Sequence, residues 1–138
     1  MPMNDLLTRP MREELTRAGI DELRTPEDVD QALRAPGTVL VAVNSTCGCA
    51  AALMRPALLR ALAEGPEPDR VTTVFASTDR EATARAREYF TGYPPSSPSV
   101  ALLRDGELVF MLERSGIERR DVDDITADIQ SALERHCS

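Results

Sequence analysis

The sequence predicts an α/β fold in which a mixed β-sheet is covered by helices on both faces. Three observations carry that prediction. Strand-like apolar runs at residues 38–43 and 71–76 alternate with helical patterns, the order expected of a sheet with helical crossovers. The first run passes through a seven-residue turn into an Ala/Leu-rich helical stretch. Later, two apolar runs meet around Asp105-Gly106, the sharpest short-range hairpin signal a sequence offers.

The elements follow in order. Residues 9–18 read as a first helix, with Pro10 at the first helical position and Met11, Leu15 and Ala18 on one face. Gly19 is its stop. Residues 20–23 read as a short edge strand. Thr25-Pro26-Glu27-Asp28 combines a capping hydroxyl, proline at N1 and carboxylates in the first turn, so a second helix starts there. The near-continuous apolar run 38–43 reads as a strand buried on both faces. The helix after the turn contains Pro56, which removes one backbone bond and predicts a kink. Residues 65–69 form an exposed loop, and 71–76 a further strand. Thr78 or Asp79 caps a helix over about 80–90. Residues 91–99 are the most proline-dense stretch and lead into the hairpin. Val122, Ile125, Ile129 and Leu133 mark a last helix over about 121–136.

The chain of 138 residues is read as one domain, 1–138, long enough to bury a core. Its 42% apolar and 28% charged residues are those of an ordinary globular protein. With 3 Phe, 2 Tyr and no Trp, the core must be built from Leu, Val and Ala. A net charge of −7 argues against nucleic acid or an anionic membrane as partner. The opening residues lack a signal-peptide pattern, and no apolar run approaches the roughly 20 residues of a membrane span. The expected location is therefore cytoplasmic. There, disulfides tend to be transient and catalytic, and the odd cysteine count of 3 does not suit a structural framework.

The chemistry concentrates at Asn44-Ser45-Thr46-Cys47-Gly48-Cys49-Ala50. A thiol at a helix start faces unpaired backbone N–H groups and the positive end of the helix dipole, both of which favour thiolate. Two small, buried, inert thiols are the plain alternative; the glycine between them and their place at the helix start favour reactivity.

The stretch 44–51 resembles the bacilliredoxin family of thioredoxin-fold proteins with a CGC active site. So do Pro94-Pro95-Ser96-Ser97-Pro98-Ser99 before the Asp105-Gly106-Glu107 hairpin, Pro10-Met11-Arg12-Glu13-Glu14-Leu15, and Leu23-Arg24-Thr25-Pro26-Glu27-Asp28-Val29. The resemblance covers nearly the whole chain in order. It implies a thioredoxin-like three-layer sandwich and a thiol–disulfide oxidoreductase that removes bacillithiol from protein cysteines. It also implies Cys47 as attacking thiol, Cys49 as resolving thiol, and no other cofactor. Members have also been described as disulfide isomerases. The implied partners are S-bacillithiolated or disulfide-bonded proteins and bacillithiol itself. Pro98 matches the proline that such folds hold cis beside the active-site cysteines, with Ser97, Ser99, Thr46 and Gly48 as further substrate contacts.

Local geometry is compatible with these roles. Residues i and i+2 of a regular helix point to nearly opposite sides, so a Cys47–Cys49 disulfide needs Cys47 outside the helix and Gly48 to absorb the bend. Such a small ring is strained, which predicts a potential less negative than thioredoxin's, about −270 mV. A soft-metal clamp at Cys47 and Cys49 is the alternative from another class. Cys137 beside His136 admits three readings: a frayed, exposed terminus, a third redox thiol, or a member of a zinc set with Cys47 and Cys49. Metal-ligand spacing speaks against the last. Glu113-Arg114 and Arg119-Arg120-Asp121 read as solvated surface, with carboxylate recognition as the alternative for the arginines. Tyr89, Phe90 and Tyr93 read as packing residues.

Overall fold

In the computed structural model the described residues are 3–46 and 48–137, with side chains from Thr8 onward. Cys47, the expected nucleophile, lies outside them. The elements are α1 (Met3–Thr16), β1 (Asp21–Glu22), α2 (Pro26–Leu33), β2 (Thr38–Asn44), α3 (Gly48–Glu64), β3 (Arg70–Phe75), α4 (Arg80–Arg87), β4 (Ser99–Arg104), β5 (Glu107–Leu112) and α5 (Val122–Cys137), with a short 3-10 turn at Arg114–Gly116.

The five strands lie in the order β1-β3-β2-β4-β5, parallel from β1 to β2 and antiparallel from β2 to β5. Every residue of β2, the central strand, is buried. Because alternate side chains point to opposite faces, β2 and β4 feed two cores. Leu40, Ala42, Val100 and Leu102 pack with α3 and α5 on one face, where Leu15 of α1 joins them. Val39, Val41, Val43, Ala101 and Leu103 pack with α2 and α4 on the other. The result is helix, sheet and helix in three layers.

Local chemistry fixes most of the boundaries. The Thr25 hydroxyl accepts from the Asp28 N–H at 3.1 Å and caps α2. Asp105 and Gly106 both take positive φ (51° and 82°), as a two-residue hairpin of the type I′ hand requires. Asp105 also accepts from the Gly37 N–H at 2.8 Å, tying the hairpin to the start of β2.

Three expectations need correction. α1 starts at Met3 and carries Pro10 inside it rather than at N1. The spacing of Leu7, Met11 and Leu15 continues the helical pattern upstream of Pro10, and the proline costs only one ladder bond. α4 ends at Arg87, short of Phe90. Its N-cap, Asp79, makes no capping bond. Its carboxylate receives Arg12 at 2.8 Å and Arg24 at 3.4 Å instead, since a charge-assisted bond outcompetes a cap. Elsewhere the helix after the cysteine turn, α3, carries Pro56 inside it, where the sequence places it.

Candidate active site

β2 ends at Asn44 and α3 begins at Gly48, so strand gives way to helix within a few residues. Cys49 is the second residue of α3 and is exposed. No acidic residue stands in the first turn of α3, so no charge there opposes a thiolate at the dipole's positive end.

The sheet brings a second segment to the same place. Val43 pairs with Ser99, the first residue of β4, and Ser99 follows Pro98. The Ser97–Pro98 peptide is cis, as the resemblance implies. Thr46, Gly48 and Cys49 therefore share one end of the sheet with Ser97 and Pro98. Thr46 is exposed and Ser97 half-buried, whereas Pro98 and Ser99 are buried. The Ser99 hydroxyl donates to the Ser96 carbonyl at 3.0 Å. Ser99 lies on the inward face shared by Ala101 and Leu103, so its side chain props the loop from below. Its hydroxyl is thereby engaged within the loop.

Two groups from outside the turn and the proline loop support them. Arg114 braces the cis-proline loop. Its backbone N–H donates to Ser96 Oγ at 2.7 Å, and Nη1 reaches the Ser97 carbonyl at 3.4 Å. Nε pairs with Glu118 at 3.2 Å, and the side chain is 43% exposed. The residue is not mere solvated surface. Beneath the turn, Arg55 of α3 is only 7% exposed and bonds Asn44 and the Ser45 carbonyl. The signal for it was present: Arg55 interrupts an apolar stripe in which Ala51 and Leu58 lie four and three residues away.

His136 and Cys137 sit elsewhere. Arg104, the last residue of β4, donates to the His136 carbonyl at 3.0 Å. Ser99 is the first residue of β4, and five strand steps separate the two by roughly 17 Å. Cys49 and the His136–Cys137 pair thus occupy opposite ends of the molecule, which removes the basis for a shared zinc set or direct thiol exchange. Cys137 is helical, half-buried and packed against the α3–α5 core, not frayed. Among the described residues, no group of three His, Cys, Asp or Glu side chains is placed to hold a metal ion. Tyr89 and Phe90 pack as expected, while Tyr93 is 44% exposed.

A family model described as disulphide isomerase matches residues 3–137. A bacilliredoxin of Koribacter versatilis is 54% identical over 134 residues, spanning 96% of this chain and 92% of that protein. A bacilliredoxin of Geobacillus kaustophilus is 50% identical over 136 residues, spanning 99% and 94%. Among solved structures, oxidised thioredoxin O2 from Arabidopsis thaliana matches with a TM-score of 0.61 at 14% identity, covering 88% of this chain and 97% of that one. Malassezia sympodialis thioredoxin matches with a TM-score of 0.59 at 11% identity, covering 86% and 91%. At such low identity these two structures establish the fold, which is thioredoxin-like. Half-identity along nearly the full length establishes more: the chain belongs to the bacilliredoxin family and is a thiol–disulfide oxidoreductase.

Proposed function

We propose that this oxidoreductase removes bacillithiol from protein mixed disulfides, with Cys47 as nucleophile and Cys49 as resolving thiol. The observation that carries the reading is the exposed Cys49 at the second residue of α3, one glycine from Cys47 and at the same end of the sheet as the cis Ser97–Pro98 peptide. The Cys47 thiolate attacks the bacillithiol sulfur, and the client cysteine leaves as a thiolate that takes up a proton. The Cys49 thiolate then attacks Cys47, forms the Cys47–Cys49 disulfide and expels bacillithiol. The pair has given up two electrons, and the client's mixed disulfide has received them. A separate thiol reductant resets the pair, and the site uses no other cofactor.

Thr46, Gly48 and Ser97 supply the contact surface, with Pro98 shaping the loop. Arg114 adds a half-exposed cation beside Ser97, the group suited to an acidic low-molecular-weight thiol on a protein of net charge −7. The proposed setting is the cytoplasm; among the described residues no helix is long and apolar enough to cross a membrane. A second reading, isomerisation of protein disulfides by the same pair, is favoured by the description of the matching family model.

The test presents the reduced protein with one client carrying bacillithiol, the same client carrying glutathione, and a protein with scrambled disulfides. Faster release of bacillithiol than of glutathione supports the first reading. Recovery of the scrambled protein, with no release from either adduct, overturns it in favour of the second.

A further inference from the structure

A guanidinium in an otherwise apolar helix face is costly unless its donors are met. Arg55 is buried on α3 beside Met54, and its bonds converge on the active-site turn. Nη1 donates to Asn44 Oδ1 and to the Ser45 carbonyl, both at 3.0 Å, and Nε donates to Glu14 at 3.1 Å. Asn44 Oδ1 also accepts the Ser45 N–H at 2.9 Å, and Asn44 Nδ2 donates to the Met11 carbonyl at 3.1 Å. Both backbone polar groups of Ser45, two residues before Cys47, are thereby held by side chains. α1 supplies the outer anchors, Met11 and Glu14.

Closure of a Cys47–Cys49 ring depends on how the turn presents one sulfur to the other. Intramolecular displacement is the kind of step in which small misplacements cost large factors. We propose that Arg55 is a positioning residue for that step: its bonds to Ser45 and Asn44 fix the turn so that Cys49 can displace the group held on Cys47, with Glu14 tethering it from α1. The proposal rests on the assignment of Cys47 and Cys49 but not on bacillithiol as the substrate.

Its test uses hydroxyethyl disulfide, a neutral probe that makes no demand on substrate recognition. Reduced full-length protein is mixed with the probe, quenched in acid at intervals and read by mass for the Cys47 mixed disulfide and for the closed pair. In Arg55→Ala the adduct forms at close to the wild-type rate but persists about tenfold longer or more. Arg55→Lys restores charge but not the fork, so it recovers only part of the closure rate. Glu14→Gln, which keeps Arg55 but loosens its tether, falls between Arg55→Ala and wild type. All are read well below their melting temperatures. Unchanged closure in Arg55→Ala overturns the proposal, even if that variant melts earlier. Should Arg55→Ala fail to fold, unchanged closure in both Arg55→Lys and Glu14→Gln overturns it. An adduct on Cys49 instead of Cys47 in wild type would overturn the assignment of the nucleophile, and the proposal with it.

Discussion

Ser97 and Ser99 flank the same cis proline, yet they differ in exposure. Ser99 is turned inward onto Ser96, while Ser97 is half-buried and its carbonyl is reached by Arg114. The two are equivalent in sequence and are separated only by strand alternation, which starts at Ser99. Arg114 shows the converse. Nothing near it in sequence marks it as a brace for the proline loop, because its partners Ser96 and Ser97 lie 18 and 17 positions away. Its half-exposed guanidinium predicts that Arg114→Gln raises KM for an acidic thiol adduct about two- to fivefold, the scale of an exposed ion pair. A neutral adduct on the same client serves as the comparison and changes little. Equal effects on both adducts would reduce Arg114 to a brace for the loop. The cysteine pair stands out in the sequence by its place between an apolar run and a helical stretch. Arg55 is marked only as a break in an apolar stripe, and its partners Glu14 and Asn44, 41 and 11 positions away, cannot be read from that.

At the scale of elements, locally encoded features were the readable ones. The Thr25 cap, the Asp105-Gly106 turn and the stop at Gly19 (φ 89°) each depend on a few adjacent residues. Where a long-range partner competes, the local rule fails, as at Asp79, whose carboxylate serves Arg12 and Arg24 instead of its own helix. Arg12 also lies 4.8 Å over the Phe75 ring and bonds Glu22 and Thr78, so α1 is fastened to the β3 end of the sheet. On the other face, α2 and α4 are joined through Asp30. It accepts two bonds from Arg85 (2.9 and 2.8 Å) and one from the Tyr89 hydroxyl (2.7 Å). The Arg85 bonds first, and then the Tyr89 bond, hold the Asp30 carboxyl well below its ordinary value. A depressed folded-state value means that the link stabilises fully above the unfolded carboxyl's value, about 3.9, and is lost as pH falls through the folded one. Asp30→Asn should therefore lower the melting temperature by a few degrees at pH 7. Thermal melts at decreasing pH should show that gap closing only below about pH 4. A gap that stays constant with pH would show that the charge on Asp30 contributes nothing.

For the whole molecule, alternation of apolar runs gave the layers, because β2 and β4 must bury both faces and only helices on either side can cover them. The strand order could not be read that way. It depends on β2 pairing with β3 on one edge and β4 on the other, over separations of about thirty and sixty residues. That same topology decides the third thiol. It carries Cys137 to the Arg104 end of β4 and leaves Cys49 at the Ser99 end, so the two thiols are far apart within one chain. The central claim is a two-thiol relay within the CGC turn. Intact mass and peptide mapping after mixing with a bacillithiolated protein test it most directly, using wild type, Cys47→Ala and Cys49→Ala. The account predicts one bacillithiol held on Cys47 in Cys49→Ala and none in Cys47→Ala. Wild type becomes two hydrogens lighter, with Cys47 linked to Cys49 and Cys137 still reduced. A client left modified by every variant, or a disulfide that includes Cys137, would contradict it.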